Sequence, residues 1–149
     1  LMICLGNICR SPLAEGILRD KANTSILVDS AGTSSYHIGD PPDSRMISTA
    51  AQHKIDISTL RARQFQQVDF DSFDRIYAMD SSNYQNILAL VRNTDDQEKI
   101  HMMLADGQDV PDPYFGGAQG FENVFQLLKH PVQYLQNMYN SLNYDHLIQ

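Results

Sequence analysis

The sequence predicts an α/β fold: a three-layer sandwich whose central four-stranded parallel sheet is flanked by helices, with a phosphate-binding loop after strand 1. Three observations predict it. Short apolar segments alternate with stretches of helical periodicity, and that alternation builds parallel sheets covered on both faces. The first apolar segment runs straight into Cys4-Leu5-Gly6-Asn7-Ile8-Cys9-Arg10-Ser11-Pro12, a loop that ends in helix-start chemistry. Cys4, Ser30 and Asp80 all fall at expected strand ends, where open parallel sheets bind their ligands.

Leu1-Met2-Ile3 is the visible end of a buried first strand that runs into Cys4. Ser11, suited to an N-cap, and Pro12, suited to the first helical position, open a helix to about Ala22. Leu13, Ala14, Ile17 and Leu18 share one of its faces. Ile26-Leu27-Val28 reads as the second strand, ending at Asp29-Ser30-Ala31, and a loop from Gly32 to Pro42 holds Tyr36 and His37. Pro42 opens a helix to about His53 that turns Met46, Ile47 and Ala50 inward. Lys54 to Asp71 fits neither period.

Arg75-Ile76-Tyr77-Ala78-Met79 is the third strand, ending at Asp80, and Ser82 to Arg92 is a helix burying Ile87, Leu88 and Val91. Lys99 to Leu104 is a short fourth strand. After a loop to Gly117, a final helical region starts near Ala118. Phe121, Val124, Phe125 and Leu128 share a face there, as do Leu135, Met138 and Leu142. Pro131 predicts a kink or break near His130, because proline lacks the backbone donor and clashes with the preceding turn.

The 149 residues fit one domain, 1–149, with a core of its own. No apolar run approaches the roughly 18 residues of a membrane span, and no signal-peptide pattern is visible, so no membrane role is expected. Eleven basic against eighteen acidic residues give a net charge of −7, which argues against nucleic-acid binding. Two cysteines, Cys4 and Cys9, are too few for a secreted disulfide framework, so a reducing cytoplasm is expected. Their spacing is not a zinc pattern and the five histidines are scattered, so no metal or other cofactor is expected.

The chemistry concentrates in the first loop. Leu5 to Arg10 can curl backbone N–H groups around an anion at a helix N-terminus. Gly6-Asn7 tolerates the left-handed backbone such a curl needs. Arg10 can add a two-point grip on the anion's oxygens, and that setting favours the anionic form of the Cys4 sulfur. A nucleophile beneath a cradle for a tetrahedral dianion points to phosphoryl transfer through a cysteine. The plainer readings are an inert buried thiol at Cys4 and a simple helix cap at Ser11.

A sulfur that expels an alkoxide or phenolate needs a proton donor facing it. Asp112 is the best candidate, in Val110-Pro111-Asp112-Pro113-Tyr114-Phe115-Gly116-Gly117, where prolines prevent helix and stiffen the loop. An aspartate before proline otherwise serves a turn. Tyr36 and Tyr114 sit in loops expected to rim the pocket, and an aryl ring could lie between them. Their plainer role is to cover core edges.

Cys4 to Pro12, together with Asp112-Pro113-Tyr114, resembles the low-molecular-weight protein tyrosine phosphatases. The resemblance implies their sheet order, 2-1-3-4, and hydrolysis of phosphotyrosine and small aryl phosphates through a cysteinyl phosphate on Cys4. It implies that Leu5, Gly6, Asn7, Ile8, Cys9 and Arg10 bind phosphate, and that Asp112 is general acid and then base. Asn7, Ser11 and Ser30 match positions that brace the loop or its sulfur, and Tyr36 and Tyr114 match cleft positions. Phe115 stands where some relatives have a second tyrosine, and a histidine of the bracing network is replaced around Leu60. Met79-Asp80-Ser81-Ser82-Asn83 matches a motif with a structural role near the site, with a helix cap as its alternative. Asp43 and Arg45 match as an ion pair that shapes their loop. Cys9 is implied as a redox partner closing a reversible disulfide with Cys4. The implied partner is a phosphotyrosine-containing protein, a bacterial tyrosine kinase among them, served by a monomer.

Other readings compete. Phosphoarginine phosphatases of the same family typically carry threonine where Ile8 stands, which favours the tyrosine branch. A non-catalytic module that captures phosphotyrosine needs neither Cys4 nor Asp112. A disulfide-relay arsenate reductase needs a third cysteine, and a nucleotide P-loop needs a lysine before its serine.

Overall fold

Side chains alternate across a strand, so short strands can feed two cores at once. In the computed structural model, which describes residues 1–147, they do so on a four-stranded parallel sheet. β1 (Met2–Cys4), β2 (Ser30–Gly32), β3 (Ile76–Ala78) and β4 (Ile100–Met102) lie in the order β2-β1-β3-β4. Met2 and Cys4 enter one buried cluster, while Leu1 and Ile3 enter another with Ile76 and Ile100. The first cluster is closed by α1 (Arg10–Lys21), α2 (Ser44–Gln52) and α6 (Ala118–Leu147). The second is closed by α3 (Asp69–Ser72) and α4 (Ser81–Leu88) with Phe65, Phe70 and Phe73. A fifth short helix, α5 (Thr94–Glu98), precedes β4.

The expected faces of α1 and of the first half of α6 are buried. Leu13, Ala14, Ile17 and Leu18 of α1 pack with Phe121, Val124, Phe125 and Leu128 of α6. α2 opens two residues later than Pro42 implies, because the Asp43 side chain accepts from the Arg45 N–H and caps it. The segment that fits neither period supplies Ile55, Ile57, Ala62 and Phe65 to the cores as coil and ends in α3.

β2 differs from expectation, and α4 stops at Leu88 rather than Arg92. β2 lies four residues later than Ile26–Val28, since the ladder sets Ser30 level with Met2 and Gly32 level with Cys4. Leu27, ahead of that level, is exposed. α6 runs through Pro131 without a break, with Val132 fully buried immediately after it. Burial of one face on both sides of the proline outweighs the lost backbone bond. Leu142 lies half-exposed rather than on that buried face.

Gly16 shows how tightly α1 is seated. A Cβ there would lie 2.5 Å from Ile57 Cγ2 and 3.0 Å from Ile55 Cγ2. Gly16→Ala gains up to about 1 kcal/mol of helix propensity but meets an overpacking cost of about 1–3 kcal/mol. The urea midpoint is therefore expected to fall, and a raised midpoint would refute this account of the contact.

Candidate active site

The loop between β1 and α1 is built around Asn7, which adopts left-handed backbone (φ 57°) and is 2% exposed. Its amide is met on every side. Nδ2 donates to Ser11 Oγ at 2.8 Å and to Ser30 Oγ at 2.9 Å, and Oδ1 accepts from the Arg63 N–H at 3.0 Å. That last bond comes from the backbone three residues beyond Leu60. Ser30 Oγ donates in turn to Glu15 Oε1 at 2.7 Å, and Glu15 pairs with Arg19. Gly32 closes the space beneath the loop: a Cβ there would lie 2.8 Å from the Leu5 carbonyl and 3.2 Å from the Asn7 nitrogen.

Ser11 is not the cap its position implied. α1 begins at Arg10, its N-cap is Cys9, and no side chain caps it. The Ser11 hydroxyl is instead committed inward, 3.0 Å from Cys4 Sγ, while accepting from Asn7. With Asn7 donating to its oxygen, the Ser11 hydroxyl keeps its proton to offer to Cys4 when the sulfur is a thiolate. The first N–H groups of α1, where the loop ends, have no partners one turn back within the helix.

Arg10 is 2% exposed. Its Nη1 donates to Asp80 Oδ2 at 2.7 Å and to the Val110 carbonyl at 2.9 Å, and its Nη2 lies 3.6 Å from Asp112 Oδ2. Burial works against its charge, yet the Cys4 sulfur and the Asp80 carboxylate hold its pKa above the ordinary arginine value. Asp80 serves both roles foreseen for it, since its Oδ1 accepts from the Asn83 N–H and caps α4.

Asp112 lies across the cleft in a turn of its own, where Oδ1 accepts from the Tyr114 N–H at 3.0 Å and leaves Oδ2 toward Arg10. The cleft has a volume of about 230 Å³. Cys4, Cys9 and Arg10 line it as buried residues, and Tyr36, Tyr114 and Asp112 as exposed ones. Both cysteines are reduced and buried. Burial pushes the Cys9 thiol well up, with the Asp43 carboxylate adding to it, so Cys9 holds its proton. Among the described residues, no group of three His, Cys, Asp or Glu side chains is placed to hold a metal ion, and no helix is long and apolar enough to cross a membrane.

Sequence reasoning missed Glu15, Gly32, Arg63 and Val110. Glu15 left one signal, an acidic residue on the helix face that carries Ser11 and Leu18. The other three act through backbone atoms or through the absence of a side chain, which no residue pattern announces.

The family model described as low molecular weight phosphotyrosine protein phosphatase matches residues 1–146. A Synechocystis protein assigned to the low molecular weight protein-tyrosine-phosphatases is 47% identical over 139 residues, covering 87% of this chain and 88% of its own. A protein tyrosine phosphatase from Entamoeba histolytica superposes with a TM-score of 0.83 at 34% identity, over 97% of this chain and 96% of its own. Vibrio vulnificus Wzb in complex with benzylphosphonate superposes with a TM-score of 0.83 at 25% identity, over 92% of this chain and 95% of its own.

Glu15 generates a pH prediction. Burial raises its carboxyl above the ordinary 4.5, although the Ser30 hydroxyl and the Arg19 guanidinium pull the other way. A raised folded-state pKa contributes stability that is fully present below pH 4.5 and lost as pH rises through the folded value. Glu15→Gln keeps an acceptor for Ser30 without the ionisation. Its urea midpoint is expected to decline less than wild type between pH 4.5 and neutrality, and parallel curves would contradict the assignment.

Proposed function

The chain belongs to the low molecular weight phosphotyrosine protein phosphatases, and we propose that Cys4 is its nucleophile, Arg10 with the amides of residues 5–10 its phosphate clamp, and Asp112 its general acid and base. The observation that carries this reading is the meeting of Cys4, Arg10 and Asp112 on one cleft. A bound phosphate monoester accepts from the loop amides and from Arg10 Nη2, because Asp80 and Val110 occupy Nη1. The Cys4 sulfur attacks phosphorus, the phosphorus–oxygen ester bond breaks, and the Asp112 carboxyl gives its proton to the departing phenolate. Water then attacks the cysteinyl phosphate as the Asp112 carboxylate takes its proton. The sulfur–phosphorus bond breaks, and the thiolate leaves into the hydrogen bond offered by Ser11. Asn7 and Ser30 hold the loop in its curl.

Tyr36 and Tyr114 flank the cleft as walls for an aromatic ring, and the benzylphosphonate held by the Vibrio vulnificus neighbour is a phosphonate next to such a ring. The substrate class is therefore a protein bearing phosphotyrosine, and a bacterial tyrosine kinase is one such protein. One copy supplies every group, so a monomer suffices. The reaction requires Cys4 reduced, which fits a cytoplasmic setting in one domain spanning the chain.

Cys4→Ser is expected to abolish turnover of both p-nitrophenyl phosphate and a phosphotyrosine peptide. Asp112→Asn is expected to lower kcat/KM on the peptide by about 10²–10⁴-fold. Turnover by Cys4→Ser at the wild-type rate would end the reading.

Cys9 adds protection from oxidation. Peroxide converts the Cys4 thiolate to a sulfenic acid, and the Cys9 thiol then condenses with it to give a disulfide and water. Dithiothreitol is expected to restore activity to peroxide-treated wild type, with much poorer recovery for Cys9→Ser. Equal recovery would remove the role.

A further inference from the structure

Arg45 touches none of the groups that bind phosphate, yet it joins the two loops that must cooperate. Its Nε and Nη2 grip Asp43 at 3.0 and 2.8 Å, which holds the Asp43 carboxyl below the usual carboxylate range. The Asp43 N–H in turn donates to the Ile8 carbonyl of the phosphate loop at 2.8 Å. On the other side Arg45 donates to the Tyr114 carbonyl at 3.0 Å and to the Gly116 carbonyl at 3.5 Å. Its guanidinium also lies over the rings of Phe121, at 4.6 Å, and Tyr114, at 5.7 Å.

The segment from Pro111 to Gly117 otherwise bonds mainly to itself, through Tyr114 N–H to Asp112 and Gly116 N–H to Pro113. Among the described residues, Arg45 is the side chain from elsewhere in the fold that donates to its backbone. The contacts form a chain from the Ile8 carbonyl through Asp43 and Arg45 to the turn that carries Asp112.

We propose that Arg45 is a positioning residue that sets the reach of Asp112 to the leaving oxygen, and so governs protonation of the leaving group rather than phosphate binding. The inference rests on Asp112 as the general acid. A rigid two-carbonyl fork suits the task, because a displacement of about 1 Å costs up to about 10²-fold in rate. An arginine also makes this grip where lysine, a point charge, cannot.

The test compares kcat/KM on p-nitrophenyl phosphate, whose leaving group needs little protonation, with that on a phosphotyrosine peptide, whose phenol has a pKa of about 10. Arg45→Met is expected to lose about 10-fold more on the peptide than on the nitrophenyl ester, with inhibition by inorganic phosphate unchanged. In an Asp112→Asn background the same substitution is expected to add no selectivity, and Arg45→Lys is expected to recover part of the loss. Equal losses on both substrates, weakened phosphate inhibition, or a selective loss that persists without Asp112 would overturn the proposal. If Asp112→Asn alone shows no leaving-group selectivity, the acid assignment falls and this inference with it. Thermal melts accompany each variant, and Arg45→Lys carries the comparison if Arg45→Met does not fold.

Discussion

The site depends on one buried amide. Asn7 holds left-handed backbone, which costs an L-residue roughly 1–2 kcal/mol, and it does so with its side chain almost wholly out of water. Each unmet buried donor or acceptor would add about 1–3 kcal/mol. Three partners from three parts of the chain meet that demand: Ser11 on α1, Ser30 on β2, and the Arg63 backbone in the coil after α2. The bonds together outweigh the backbone cost, so the curl of the loop persists without a ligand to organise it. The same bonds fix the Ser11 hydroxyl between Asn7, which donates to its oxygen, and Cys4 Sγ at 3.0 Å.

The second half of the site reaches Cys4 through the sheet. With β3 beside β1, the chain leaving β3 brings Asp80 next to Arg10, and the Val110 N–H bonds to the Met79 carbonyl at 2.7 Å. The chain beyond Val110 is thereby set over the phosphate loop. Asp80 connects the two directly, capping α4 with one oxygen and orienting Arg10 with the other. A guanidinium fixed on its Nη1 side by an acid and a carbonyl keeps its Nη2 side toward the cleft and Asp112. That is preorganisation, with the donors aimed before charge develops.

What was readable in the residues is what is local. The faces of α1 and α6 follow from spacing, because a helix turns apolar residues onto one side whatever it meets. Cys4, Arg10 and Asp112, which the fold brings to one cleft, could be singled out because their residue types are scarce answers to a chemical need. β2 was misplaced because an apolar run says that a segment is buried, while the register with β1 says which residues pair. Pro131 predicted a kink or a break, and the helix does not break because the local penalty is smaller than the burial gained by continuing α6 on both sides. Ser11 offered two readings, a helix cap and a partner of the Cys4 sulfur, and the nearness of Cys4 and Asn7 shows where the hydroxyl goes.

The residues alone determined the alternation of elements, the faces they bury, and the sulfur, guanidinium and carboxyl to which the proposed chemistry is assigned. These follow from short-range sterics and periodicity, which each segment carries by itself. The tertiary structure decided which atoms complete those groups: the Arg63 and Val110 backbones, the empty side of Gly32, the Glu15 carboxyl behind Ser30, and Arg45 between the two loops. Such contacts join positions far apart in the chain through backbone groups common to every residue, so only their distances in the folded molecule can reveal them.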